Sequence, residues 1–322
     1  MALGDYVKTT FVNGTSPAIN ATNLNNNENK TKELDTETGT HIANKASASV
    51  LGHVKVGDSL NIDANGILSA AVKTPFTIYV NGTSGNDSNT GLSSGAAVAT
   101  IGRAVAIAKL SICNYITISI TAETYAENVL LDGLACSHLK ITKEGAGTVQ
   151  INGGIDWSNG QSLNITSLSV SGNNITVSNL THFEAVGVTV SSGSVSSIHA
   201  DTVAVMRIVN CTLTNDAGAG VAPIDVTRIG SIYCNGNSIT GDGCIAAYNV
   251  GSLQLYGEAW TVLAGSTYGL LIAYGTICYM ENVSGALGTV PVCRVLGSIL
   301  CRGSNSVTGA ADVTSSGGQI FT

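Results

Sequence analysis

One eight-residue pattern recurs four times in the C-terminal half of the chain. The copies are IGSIYCNG (229–236), VGSLQLYG (250–257), YGTICYME (274–281) and LGSILCRG (296–303). Each has an apolar residue at its fourth position, and these residues are 21, 24 and 22 positions apart. The copies contain no reactive motif, so the repetition predicts an architecture and not a chemistry.

Weaker copies extend this repeat toward the N-terminus. The apolar anchors then form a series of nine: Ile118, Leu139, Leu163, Phe183, Met206, Ile232, Leu253, Ile277 and Ile299. Their spacing varies from 20 to 26 residues, and they lack the signatures of tetratricopeptide, ankyrin, WD40 and leucine-rich repeats. A variable period near 22 residues suits a parallel β-helix, because its turns absorb differences in coil length.

The residues around the anchors alternate with the period of a β-strand, as in Leu163-Asn164-Ile165. A second apolar column indicates at least two strands per coil: Leu168, Val188, Leu213, Ile239, Val262, Val283 and Val307. We therefore expect an all-β fold, a right-handed parallel β-helix or solenoid with coils of about 22 residues.

This register assigns side chains to the inside and the outside. Leu253, Ile277 and Ile299 are expected to stack in the core, with Gln254 outside. The glycine before each anchor, as at Gly251, marks a corner where a positive φ or a close backbone approach favours glycine.

The outward column makes two further predictions. Glu184 and Arg207 fall side by side on neighbouring coils, so they should form a surface ion pair worth ~0–1 kcal/mol. Further along, the column becomes apolar at Cys278 and Leu300, and GLLIAYG (269–275) adds more apolar residues. We therefore expect an exposed apolar surface in the last coils, of the kind that usually forms an interface.

Composition excludes several classes of function. The net charge is −7 and only 11% of residues are charged, which disfavours binding to nucleic acid or to anionic lipid. We expect no secretory signal and no membrane insertion, because MALGDYVKTT lacks a basic start and no apolar run reaches the ~20 residues of a span. The eight cysteines lack metal-ligand spacing and are expected to be small core residues: Cys113, Cys136, Cys211, Cys234, Cys244, Cys278, Cys293 and Cys301.

Three regions are expected along the chain. Residues 1–46 form an N-terminal segment, 47–74 a β-hairpin connector, and 75–322 the parallel β-helix with an N-terminal capping helix. The hairpin is predicted from the alternation in HVKVGDSLNIDANGILSA (53–70), with DANG as its turn. The cap is predicted because an open β-helix end exposes its core and its strand edges.

Several segments resemble known phage proteins. The entry of the repeat is similar to pectate-lyase-like β-helix proteins, including phage tailspikes, at Tyr79-Val80, Gly85, Asp87, Gly91, Ala99-Thr100-Ile101 and Ala104. FVNGTSPAINATNLNNNEN (11–29) resembles the opening of phage appendage proteins, although Phe11 replaces a tryptophan and Asn26-Asn27 replace an apolar residue. Residues 41–70 resemble fibre repeats of phage tails and heads. The resemblance implies a virion appendage, usually a homotrimer.

No catalytic, cofactor-binding or metal site is assigned from the sequence. Glycosidases need two carboxyl groups about 5–9.5 Å apart, and two candidate pairs are Glu258 with Glu281 and Asp201 with Asp225. Solvated surface carboxylates explain these residues as well. Two tryptophans in the chain also leave little aromatic surface for stacking sugars.

We therefore expect a phage virion fibre or spike, more consistent with a structural protein than with an enzyme. It would be made in the host bacterial cytoplasm, bind other virion proteins through its N-terminal segment, and contact a host surface glycan. The alternatives are a tailspike polysaccharide depolymerase and a purely structural decoration of the head or baseplate.

Overall fold

The structure is a computed structural model that describes residues 29–34, 60–62, 68–70, 74–111, 113–193, 195–216, 221–263 and 266–322. The chain divides into two compact units, Met1–Ala71 and Val72–Thr322. In the first unit, residues 29–34 form helix α1, and strands β1 (Leu60–Ile62) and β2 (Leu68–Ala70) pair antiparallel. This pairing confirms the predicted hairpin. Its DANG turn and the predicted attachment motif at 11–28 lie outside the described residues.

The second unit is a parallel β-solenoid of about nine coils, with a 3-10 turn at Ser94–Ala96 and one α-helix, α2 (Ile101–Lys109), in its described part. Its strands are β3 (Phe76–Val80), β4 (Tyr115–Thr121), β5 (Thr124–Tyr125), β6 (Val129–Leu130), β7 (His138–Glu144), β8 (Gln150–Ser158), β9 (Ser162–Thr166), β10 (Ser169–Val186), β11 (Thr189–Ser191), β12 (Ile198–Val209), β13 (Thr212–Thr214), β14 (Ile224–Thr227), β15 (Ser231–Asn235), β16 (Ser238–Gly241), β17 (Ile245–Tyr248), β18 (Ser252–Tyr256), β19 (Ala259–Val262), β20 (Leu270–Ala273), β21 (Ile277–Glu281), β22 (Ser284–Pro291), β23 (Cys293–Leu296), β24 (Ile299–Arg302), β25 (Ser306–Ala310), β26 (Val313–Ser315) and β27 (Gln319–Phe321).

These strands stack into three parallel sheets, which we call A, B and C. Sheet A runs from β3 through β4, β7, β9, β10, β12, β15, β18, β21 and β24 to β27. Sheet B ends with β13, β16, β19, β22 and β25, and sheet C with β14, β17, β20, β23 and β26. The long strands β8, β10 and β12 bend around corners and contribute to more than one sheet.

The core confirms the predicted anchors over the middle coils. One inward column of sheet A consists of Leu139, Leu163, Phe183, Met206, Ile232 and Leu253, all at most 2% exposed. At the first coil the partner of Leu139 is Ile116, two residues before the predicted anchor Ile118; both are buried because residues two apart share a face. The predicted second column combines residues of three columns: Leu168, Val188 and Val283 at the A–B corner, Leu213, Ile239 and Val307 in sheet B, and Val262 in register with Gly241.

The predicted register is wrong by one residue in the last coils. Leu253 pairs with Cys278, and Cys278 pairs with Leu300, so Cys278 and Leu300 are buried. Ile277 and Ile299 point outward, and Gln254 is outside as predicted. A shift of one residue exchanges the two faces of a strand, so both side-chain assignments reverse together.

The cause is the place of the glycine in the C–A corner, because Gly251 lies two residues before the inward Leu253 whereas Gly275 lies three residues before the inward Cys278. Tyr274 and Gly275 both have positive φ, 58° and 87°, and Thr276 follows them into the interior. The Thr276 hydroxyl donates to the Ala273 carbonyl (2.9 Å) and accepts from the Val250 amide (3.2 Å). Thr276 thus fills the corner by its own hydrogen bonds, whereas at Gly251 the glycine is needed because a Cβ would lie 2.5 Å from the Gly230 carbonyl oxygen.

Helix α2 closes the first end of the solenoid, as predicted. Its buried residues Ile101, Ala104, Val105 and Ala108 belong to the main core. The Glu127 carboxylate accepts hydrogen bonds from the amides of Ile101 (3.0 Å) and Gly102 (2.8 Å), which are free donors at a helix start. The chain thus caps the helix with a residue of the next coil.

Two further predictions are confirmed. Glu184 pairs with Arg207 on neighbouring strands of sheet A, and their side chains form an ion pair. Seven of the eight cysteines are buried and none forms a disulfide, while Cys301 is partly exposed.

Candidate functional site

The two predicted carboxylate pairs differ in whether the fold brings them together. Glu258 points into the core and is 0% exposed, while Glu281 is on the outer face of sheet A, paired in register with Tyr256. The two cannot act on one substrate, so Glu258 with Glu281 is wrong as a candidate catalytic pair. The sequence count failed here because Glu258 lies beyond the A–B corner, where the register residue of the next coil is Val283.

Glu258 is held by Asn237 of the preceding coil. The Asn237 side-chain amide donates to Glu258 Oε1 at 3.1 Å, while the buried Glu258 Oε2 and Trp260 Nε1 have no hydrogen-bond partner among the described residues. Burial raises the pKa of Glu258 to about 8, despite the opposing effect of the Asn237 hydrogen bond. Glu258 is therefore a core carboxyl and has no access to a substrate.

The second pair is brought together on the outer face of sheet C. Asp225 pairs in register with His199, and its carboxylate lies 3.3 Å from His199 Nδ1. The Asp225 hydrogen bond raises the pKa of His199, and the charges of Asp225 and Asp201 add to the effect. Asp201, two residues from His199, forms an ion pair with Arg228. Both carboxylates therefore already have partners.

The outer face of sheet A has a shallow pocket over its first coils. It has a volume of about 430 Å³ and is lined by Tyr115, His138, His182 and Glu184 among others. The rings of Tyr115 and His138 are 6.0 Å apart. The Glu184 carboxylate is bound by both Asn164 and Arg207, so this pocket offers few free polar groups.

An apolar surface does occur in the last coils, and of the residues expected to form it Tyr274, from GLLIAYG, takes part, whereas the buried Cys278 and Leu300 do not. It lies at the C–A corner and consists of Tyr248, Tyr274, Ile277, Leu296 and Ile299, which we call the corner patch. Tyr274 is 72% exposed, Ile277 38% and Ile299 36%. The rings of Tyr248 and Tyr274 are 6.1 Å apart. Within GLLIAYG, by contrast, the outward Leu271 is covered by Tyr268 in a small separate cluster.

A second pocket lies on the outer face of sheet A in its last coils, toward the A–B corner. It has a volume of about 340 Å³, and we call it the aromatic pocket. Its walls include Tyr256, Tyr279, Glu281 and Phe321, and its floor includes Cys301. Ligand pockets are typically ~300–1,000 Å³, so this one suits a small group and not a large molecule.

The aromatic surface of the solenoid consists of tyrosine and phenylalanine. Both tryptophans are buried, Trp157 at 1% exposed and Trp260 at 2%. The expectation of little aromatic surface counted tryptophans and missed the tyrosines. A signal was present, because Tyr233, Tyr256 and Tyr279 follow one another at intervals close to the coil length.

In the residues that the structure describes there is no cluster of three or more side chains suited to hold a metal ion. The described helices also include none long and apolar enough to cross a membrane. Comparisons of the chain with protein families, with curated proteins and with solved structures found no match. The fold and the site define the class: the chain contains a parallel β-solenoid with an exposed aromatic and apolar face on its last coils.

Proposed function

We propose that the chain is a bacteriophage virion fibre or spike protein that contacts the host cell surface. The observation that carries this proposal is the apolar and aromatic outer face of the last coils, which is typical of a binding surface. The resemblance of residues 11–29 and 41–70 to phage appendage proteins supports the same function. In this proposal three chains associate, the N-terminal segment attaches to other virion proteins, and a host surface glycan is the ligand.

Binding to whole cells tests this proposal. Fluorescently labelled full-length protein is incubated with phage-host bacteria and with cells stripped of surface glycan. Saturable binding to intact cells, lost on stripping, is the expected result. Equal binding to both kinds of cells, or to none in a panel of hosts, would contradict attachment.

One observation favours a second function, a polysaccharide depolymerase: Asp201, His199 and Asp225 lie together on an outward face. Two carboxylates with a histidine are groups that glycan-cleaving enzymes use. Release of reducing ends from host polysaccharide, abolished by Asp225→Asn, would favour the enzyme.

A third function, decoration of the head or baseplate, is distinguished by the position of the protein in the virion, which cryo-electron microscopy measures.

A further inference from the structure

The aromatic pocket is built by one outward column of sheet A. Tyr279, Cys301 and Phe321 occupy the same register position on three consecutive coils. Coils are about 4.8 Å apart, so the two aromatic residues are about 9.6 Å apart along the solenoid. The small Cys301 side chain lies between them. A group held over Cys301 would therefore lie within ~6 Å of both rings, the range of a cation–π interaction.

A carboxylate lies beside the space over Cys301. Glu281 is in the next outward column, in register with Tyr256 of the preceding coil, and is exposed. It takes part in none of the salt bridges formed within the described ranges. The following coil has Gly303 near this position, which keeps the entrance open. The pocket thus offers an anionic group next to two exposed aromatic side chains, Tyr279 and Phe321, at 48% and 54% exposure.

The positive charge that lines the pocket is already neutralised. Arg302 Nη2 donates to Asp312 Oδ1 at 2.9 Å and to the Cys293 sulfur at 3.2 Å, and it lies 2.8 Å from Asp312 Oδ2. The Arg302 guanidinium therefore already has the Asp312 carboxylate as its partner, and it forms no ion pair with Glu281. What remains for a ligand is one negative charge and aromatic faces.

The same sheet already binds a cation to an aromatic ring elsewhere. The Arg207 guanidinium carbon lies 5.8 Å from the centre of the Tyr233 ring, on the neighbouring coil. At Tyr233 the protein supplies its own cation, whereas at Tyr279 the column continues into the uncharged Cys301 and Phe321.

From this geometry we propose that the aromatic pocket binds an organic cation, a quaternary ammonium group held between Tyr279 and Phe321 and paired with Glu281. Aromatic faces with an adjacent carboxylate are the groups that recognise such ligands, because the ring faces are electron-rich and the charge needs a partner. The inference deepens the proposed function, on which it rests for the source of the ligand, an ammonium-bearing group of the host surface. Binding of the cation itself does not depend on that source.

Titration of the full-length protein with tetramethylammonium and choline tests the proposal. The matched neutral probe is 3,3-dimethyl-1-butanol, which has the shape of choline without its charge. Isothermal calorimetry is expected to give at least tenfold tighter binding for choline than for the neutral probe. Glu281→Gln and Phe321→Ala should each weaken choline binding about tenfold, while Tyr115→Ala, on the first coils of the same sheet, should leave it unchanged.

Equal affinity for choline and its neutral analogue, or unchanged affinity in Glu281→Gln, would overturn the proposal. Circular dichroism of each variant excludes loss of fold as the cause of lost binding. The cell-binding experiment separates the two proposals. Protein that binds cells but not choline overturns the ammonium site and leaves attachment standing, whereas protein that binds choline but no cells does the reverse.

Discussion

Glu258 places an ionisable carboxyl among the apolar side chains of the solenoid core. Burial raises its pKa to about 8 from an ordinary value of 4.5. The folded state therefore holds the proton more tightly than the unfolded state, and stability falls as the pH rises from 4.5 to 8. Above 8 this loss is complete, and at 1.36 kcal/mol per pKa unit it amounts to about 5 kcal/mol.

We predict that Glu258→Gln removes this pH dependence. Glutamine has the shape of the neutral acid and still accepts from Asn237, so the variant should match the wild type at pH 4 and exceed its free energy of unfolding at pH 9. Urea denaturation across this pH range measures both. The control is Glu281→Gln, which changes an exposed carboxylate on the outer face of sheet A and should change neither free energy of unfolding. If the free energies of unfolding of the wild type and Glu258→Gln differ by the same amount at every pH, Glu258 is charged in the folded core and the prediction is wrong.

At the scale of strands, the sequence was sufficient for the middle coils and insufficient for the last ones. From Leu139 to Leu253, apolar and polar residues alternate around every anchor, so each apolar anchor could be assigned to the core. YGTICYME was aligned on its glycine, but Gly275 lies three residues before the inward Cys278, whereas Gly251 lies two before Leu253. Both Ile277 and Cys278 are apolar, so hydrophobicity could not distinguish the two registers. The buried Thr276 hydroxyl resolves them, and its bonds are visible only in three dimensions.

This register gives a prediction for the strand β24. Leu300→Asp should unfold the last coils, since it buries a charge where Leu300 is 0% exposed, and should cost at least ~3 kcal/mol. Ile299→Asp changes an outward position of the same strand, where the new charge is not enclosed in the core, and should cost clearly less than Leu300→Asp. Thermal unfolding followed by circular dichroism compares the two variants. The opposite order would restore the register in which Ile299 points inward.

At the scale of the whole molecule, the repeat period predicted the solenoid but not how its faces are used. The spacing of the anchors requires coils stacked in register, and three parallel sheets satisfy it. The sites depend on neighbours that are about one coil apart in sequence, such as Tyr279 and Cys301, or His199 and Asp225. Such pairs become recognisable only once the register is known, so the apolar surface was expected in the right coils but with Cys278 and Leu300 in place of Ile277 and Ile299.

The last prediction concerns assembly. The corner patch lies at the C–A edge of sheet A, and the aromatic pocket begins in the next outward column, at Tyr279 and Cys301. We predict that three solenoids associate through the corner patch. Burying this apolar surface would stabilise the subunits and make unfolding depend on protein concentration. Multi-angle light scattering of the full-length protein should give three times the subunit mass of 32.7 kDa. The double variant Ile277→Asp, Ile299→Asp should shift this mass toward the monomer with its circular dichroism unchanged, and Val205→Asp, an exposed residue on an earlier coil of sheet A, should not. A monomer at all micromolar concentrations would refute the trimer, and a trimer insensitive to the double variant would place its interface away from the corner patch.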